Sequence, residues 1–192
     1  MGKIILARHG ECLDNELRVF NGTLDSPLSR NGLTQAGDLA AALASKFSVS
    51  HIFCSTKQRA IETAEICMRR CGVGYLLKLD YIRERDHGIL EGEPYSRVRE
   101  LADRWVTHDG FDHITKAKGA ETYEQLYERA RQVYTQMLWE VVSLPRYHRD
   151  VLFVGHGVLF RMIWAIHHGC HIEDCIRDHW RNCEYRVLKK PL

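Results

Sequence analysis

The chain predicts an α/β fold: a three-layer sandwich in which a mostly parallel central sheet is flanked by helices. Three observations predict it. Short apolar runs alternate with longer segments of helical periodicity along the 192 residues, the pattern of β–α–β units. The run Val151–Val154 is continuously apolar, as a strand covered by helices on both faces must be. No repeat, low-complexity tract or linker interrupts the pattern, so residues 1–192 are read as one domain.

Each element has its own signal. Lys3–Ala7 is a short apolar run ahead of Arg8-His9-Gly10 and reads as a buried strand. Glu11–Asn31 is punctuated by Asn, Gly, Asp and Pro and reads as a long loop with room for one helical turn. Loops of that length in compact domains are often functional. Leu33–Phe47 puts Leu33, Ala36, Leu39, Ala40, Leu43 and Phe47 on one helical stripe. His51–Cys54 is strand-like, and Thr56–Arg70 is helical with Ser55 and Thr56 as N-cap candidates. Tyr75–Leu79 reads as a third strand. Pro94–Thr107 and Thr122–Val142 read as helices, the second burying Leu126, Ala130, Val133, Met137 and Val141. After the strand Val151–Val154 come a helix over Gly157–His167 and an edge strand over Glu184–Leu188.

Composition removes several function classes. Lys and Arg total 27 against 25 Asp and Glu, a net charge of +2. A nucleic-acid surface built on phosphate neutralisation needs far more. With 45% apolar and 27% charged residues, long disorder and coiled coil are also excluded. The apolar run Ile4–Ala7 is too short for a signal-peptide core or a membrane span. Seven Cys is an odd number, and none forms a C-x-x-C pair. Reduced thiols and a cytoplasmic location are therefore expected.

Chemistry collects at the strand ends, where open parallel sheets bind their ligands. The first strand delivers Arg8 and His9, the second Ser55 and then Arg59, and the fourth Gly155-His156-Gly157. The third is followed by Arg83-Glu84-Arg85-Asp86. Two Arg and two His on one rim describe a pocket for a dianion, since guanidinium matches phosphate oxygens with paired donors. Helix N-termini at Thr56 and Gly157 would add free N–H groups. A His among such donors can attack phosphorus through one ring nitrogen while a backbone carbonyl fixes the other. A neighbouring carboxylate can then protonate the leaving oxygen. The scheme needs no metal and no other cofactor. Singly, each residue also has a structural reading: Arg59 as an ion-pair partner of Glu62, Glu84 as part of a solvated charged loop.

The ordered set Leu6-Ala7-Arg8-His9-Gly10-Glu11, Asn15, Phe20-Asn21-Gly22, Asp25-Ser26-Pro27-Leu28-Ser29, Gly32, Gln35-Ala36, Cys54-Ser55, Arg59-Ala60, Glu62-Thr63-Ala64, Glu84–Gly88, Glu91-Gly92, Gly119-Ala120-Glu121-Thr122 and Val154-Gly155-His156-Gly157 resembles the histidine phosphatase superfamily. This is the phosphoglycerate mutase-like, RHG-motif fold, and the likeness runs over nearly the whole chain. It implies His9 as the nucleophile that becomes phosphohistidine. Arg8, Arg59 and His156 would then hold the phosphoryl oxygens, and Glu84 would be the proton donor. It further implies that Asn15, Asn21, Gly22 and Gly157 line the bound ester. The acid phosphatase branch typically has Asp directly after the second His; here Gly157 stands there, which leaves the donor role to Glu84.

Departures sharpen the expectation. Cys12 stands where the family often has Thr. Mutases of the family usually carry paired Arg in the middle segment, and Arg104–Gly110 offers one. A phosphatase acting on a small phosphorylated metabolite is therefore expected, with no nucleic-acid or membrane partner; a homodimer through edge strands is left open. A phosphoglycerate mutase and a non-catalytic phospho-ligand module are the alternatives. Specificity is expected in residues 93–118, among Tyr95, Arg97, Arg104, His108, His113, Lys116 and Lys118. The tail series His167, His168, Cys170, His171, Cys175, His179 and Cys183 fits no paired-ligand metal module and is read as packing and surface.

Overall fold

A computed structural model describes residues 2–97, 117–144, 149–172 and 178–188. Its elements run β1 (Ile4–Arg8), α1 (Leu13–Glu16), α2 (Arg30–Lys46), β2 (Val49–Ser55), α3 (Gln58–Cys71), β3 (Leu76–Leu79), α4 (Tyr123–Val142), β4 (Asp150–Gly155), α5 (Gly157–His168) and β5 (Tyr185–Leu188). The sheet order is β3-β2-β4-β1-β5. All neighbours pair in parallel except β5, which joins β1 antiparallel at the edge.

Alternation along the strands builds the layers. Ile5, Ala7, Ile52, Cys54, Leu152 and Val154 face a core shared with α2 and α3. Leu6, Phe53, Val151 and Phe153 face the opposite core, shared with α4 and α5. Phe53 and Phe153 stack there, centroids 4.8 Å apart. Both faces are thus covered, as the apolar strands require. Among the described residues no helix is long and apolar enough to cross a membrane. The six described cysteines are free, and burial pushes the Cys54 thiol up to about 12.

Three local expectations change. Helix α2 begins at Arg30, not Leu33, because Ser29 Oγ caps it by accepting from Gly32 N at 3.0 Å. Leu33, one turn in, is 50% exposed and lies off the buried stripe. Ser55 and Thr56 do not cap α3. Its first amide, Gln58 N, donates instead to Asp25 Oδ1 at 2.7 Å, while Ser55 serves the site. Of the helix expected over Pro94–Thr107, the described part is a single 3-10 turn at Tyr95–Arg97; the remainder lies outside the described residues.

Candidate active site

Strand register sets the two histidines side by side. β1 pairs with β4 with Arg8 opposite Gly155, so His9 and His156 leave neighbouring strands together. Their rings meet edge to face, centroids 5.3 Å apart. Arg59 projects from the first turn of α3. These chain ends open on a cleft of about 360 Å³ lined by Arg8, His9, Asn15, Asn21, Arg59 and Glu84, among others. His156, Gly22 and Gly157 stand behind that lining, all three buried.

His9 Nδ1 lies 2.7 Å from the Gly10 carbonyl oxygen. A carbonyl only accepts, so Nδ1 carries the hydrogen and Nε2 keeps its lone pair. Burial, then the guanidiniums of Arg59 and Arg8, hold this imidazole well below the usual value of 6.5. The ring is neutral at neutral pH. His156 has the opposite tautomer. Arg59 Nη2, a donor only, lies 3.5 Å from its Nδ1, so Nε2 carries the hydrogen and donates to Ser55 Oγ at 2.8 Å. Burial and Arg59 lower its pKa as well.

Both arginines are held by backbone carbonyls. Arg59, wholly buried, donates to Leu24 O at 2.8 Å, Asn21 O at 2.9 Å and Gly22 O at 3.3 Å. It makes no bond to Glu62, which instead accepts from Leu28 N and Gln58 Nε2. Arg8 Nη1 donates to Trp180 O at 2.6 Å. What remains is notable in chemistry: Arg8 Nε and Arg59 Nε are buried with no hydrogen-bond partner. Both side chains line the cleft, so its wall carries two fixed positive charges beside His9, a place for an anion.

Glu84 is not a solvated loop residue. Its Oε1 accepts from Arg85 N at 2.9 Å and Leu159 N at 3.1 Å, and its Oε2 from Val158 N at 3.1 Å. The carboxylate therefore occupies the N-terminus of α5, just as Asp25 occupies that of α3. Of the amides expected free at these helix starts, three are thus taken by carboxylates: Gln58 N by Asp25, and Val158 N and Leu159 N by Glu84. Arg129 on α4 braces the same segment, donating to Arg83 O at 3.1 Å and Glu84 O at 3.3 Å. It is itself held bidentately by Glu121 at 2.6 and 2.8 Å.

Asn15 Oδ1 accepts from Cys12 N at 3.4 Å and Asn182 Nδ2 at 3.3 Å, leaving its amide –NH2 to offer. Asn21 Nδ2 donates to Cys12 Sγ at 3.0 Å, so Cys12 holds one asparagine through its thiol and the other through its backbone N–H. Close approach requires glycine at Gly22 and leaves little room at Gly157, where the neighbour is the Arg8 side chain. A Cβ on Gly22 would fall 1.8 Å from Arg85 O, and one on Gly157 3.2 Å from Arg8 Cδ.

Sequence reasoning missed several lining residues: Phe20, Arg85, His87, Tyr123, Val158, Arg161 and His179. Arg85 stood within a charged run, yet it is wholly buried, donating Nε to Glu121 O and lying 4.2 Å over the Tyr123 ring. Only packing from α4 reveals that. Of the expected specificity residues, Tyr95 lines the cleft, Arg97 pairs with Glu93 and Lys118 is exposed. Arg104, His108, His113 and Lys116 lie outside the described residues. In the tail, α5 stops at Gly169 with φ 68°, which separates His167 and His168 from the His and Cys residues that follow; Cys175 lies outside the described residues. No group of three or more His, Cys, Asp or Glu among the described residues is placed to hold a metal ion.

Comparison with known proteins agrees with this geometry. Over 165 residues the chain is 31% identical to phosphoglycerate mutase-like protein 4 of Arabidopsis thaliana, covering 84% of this chain and 69% of that protein. It is 32% identical over 167 residues to the probable phosphoglycerate mutase GpmB of Salmonella choleraesuis (strain SC-B67), covering 82% and 71%. Among solved structures, a mycobacterial glucosyl-3-phosphoglycerate phosphatase in complex with VO3 shares the fold with a TM-score of 0.83 at 23% identity, over 97% of this chain and 92% of that one. The family model for branch 1 of the histidine phosphatase superfamily matches residues 4–190. By that match and those relatives, the chain belongs to the histidine phosphatase superfamily.

Proposed function

We propose that the protein is a metal-independent phosphatase that hydrolyses a small phosphomonoester through a phosphohistidine on His9. The observation that carries this reading is the convergence of Arg8 and Arg59 on one cleft beside a neutral His9 whose Nδ1 is held by the Gly10 carbonyl, so that Nε2 keeps its lone pair. His9 Nε2 attacks phosphorus and the ester P–O bond breaks. Arg8, Arg59 and His156 stabilise the phosphoryl oxygens, and Glu84, protonated in this step, gives its proton to the leaving oxygen. A water then returns a proton to Glu84 and attacks phosphorus, the P–N bond breaks, and His9 is restored. Asn15 and Asn21 steady the ester, while Gly22 and Gly157 let the backbone and the Arg8 side chain approach.

Turnover of p-nitrophenyl phosphate in the presence of a chelator tests this. Wild type is expected to release phosphate and to trap an acid-labile, base-stable phosphoenzyme. His9→Ala is expected to lose both. Unchanged turnover in the variant sinks the scheme, and loss in chelator restored by Zn²⁺ sinks its metal independence.

The names of the sequence relatives favour a second reading, phosphoryl transfer within a phosphoglycerate. Product analysis separates them: free phosphate for the phosphatase, a moved phosphoryl group for the mutase. The cleft lining also includes Arg85 and Arg161 besides the two site arginines. Leaving groups with their own carboxylate or phosphate should therefore exceed neutral alcohols in kcat/KM by at least about tenfold, one 1.4 kcal/mol charge-assisted contact. Equal rates across such a panel would contradict it.

A further inference from the structure

The peptide groups around Gly10 are gripped from two helices. Thr63, wholly buried on α3, sits one turn after Arg59. Its hydroxyl donates to Arg59 O at 2.7 Å and accepts from Gly10 N at 3.0 Å. That bond fixes the peptide joining His9 to Gly10. The next peptide, Gly10 to Glu11, contains the carbonyl that accepts from His9 Nδ1. Its N–H belongs to Glu11 and donates to Gln35 Oε1 on α2 at 2.9 Å. No side chain fits at Gly10, since a Cβ there would fall 2.7 Å from Gly32 O at the start of α2.

We infer that Thr63 and Gln35 are positioning residues that clamp the two peptide planes of Gly10, hold its carbonyl on His9 Nδ1, and so keep Nε2 as the unprotonated nucleophile. The kinetic consequence rests on the phosphatase reading above; the tautomer does not. If either grip is lost, the Gly10 carbonyl can rotate off Nδ1, and the proton can move to Nε2. A neutral imidazole protonated at Nε2 cannot attack through that atom. The same chain also connects the two phosphate-binding elements, because the carbonyl that receives the Thr63 hydroxyl is that of Arg59.

The test uses the full chain with 15N-labelled histidine and three variants, Thr63→Val, Thr63→Ser and Gln35→Ala. Nitrogen shifts of His9 at pH 7.5 report its tautomer, and steady-state turnover with thermal melting accompanies them. Wild type and Thr63→Ser are expected to show the Nδ1–H form. Thr63→Val and Gln35→Ala are expected to show a substantial Nε2–H fraction, and kcat lower by roughly tenfold to a hundredfold with KM little changed, the scale of a misplaced reacting group. A lower melting point with wild-type tautomer and kcat in both variants would overturn the inference, leaving the two residues merely structural. Should Thr63→Val not fold, Gln35→Ala, whose side chain is only half-buried, decides alone. Wild type without turnover would refute the phosphatase reading while the nitrogen shifts still judged the clamp.

Discussion

Arg59 supplies charge to the cleft and structure to the loop above it, and a single substitution separates the two. Lysine keeps the charge but replaces a planar fork with one ammonium, which cannot reach the carbonyls of Leu24, Asn21 and Gly22 together. Arg59→Lys is expected to lower stability by about 1–3 kcal/mol, the cost of leaving buried acceptors unpaired. It should also reduce kcat/KM by roughly a hundredfold through the displaced loop. Denaturant titration and turnover check the two parts. Wild-type stability would show that the three carbonyls find other donors. At this scale the sequence was readable where a residue ends a strand or directly follows one, as Arg8, His9 and His156 do. It was silent on Arg85, Thr63 and Arg129, because nothing local tells that a polar side chain will be buried against a distant helix.

Elements were legible in proportion to their apolar patterning. β4, with Val151–Val154 wholly inside, and α4, with its stripe from Leu126 to Val141, stand where the periodicity puts them. The start of α2 was hidden because its first turn, Arg30-Asn31-Gly32, has no apolar residue to count; the cap at Ser29 is the true signal. That cap also reaches the site. Ser29 Oγ donates to Glu11 Oε1 at 2.7 Å, and Ser29 N to Glu11 O at 2.8 Å, tying the helix start to the segment after His9. Ser29→Ala is therefore expected to cost about 1–2 kcal/mol, toward the upper end for an N-cap. Urea unfolding measures it; a loss below about 0.3 kcal/mol would mean the cap is dispensable.

For the whole molecule, the near balance of charge conceals a concentration of it. With a net charge of only +2, the chain lines one cleft with Arg8, Arg59, Arg85 and Arg161 and buries His9 and His156 among them. This arrangement gives the fold a pH dependence of definite sign. Burial and Arg59 hold both histidines well below 6.5, and burial with Arg85 lowers His87 too. As pH falls through the unfolded value, the unfolded chain takes up protons that the folded chain refuses, so stability is lost. The loss begins near pH 6.5 and continues down to the folded pKa values, approaching about 1.4 kcal/mol per pH unit for each histidine. For His9 and His156 together the limiting slope is about 2.8 kcal/mol per pH unit. Asp178, lowered chiefly by its hydrogen bond from Arg186, contributes only below its usual 3.8, outside this range. Guanidinium titrations at pH 7.5, 6.5 and 5.5 should show a steep decline in the last interval and little change in the first. Orthophosphate at millimolar concentration should flatten that decline, because an anion held by Arg8 and Arg59 beside the two rings favours the protons that the empty cleft rejects. A stability that stays level from pH 7.5 to 5.5 without phosphate would mean that His9 and His156 accept protons in place, and that the cleft is not the strongly cationic site its arginines describe.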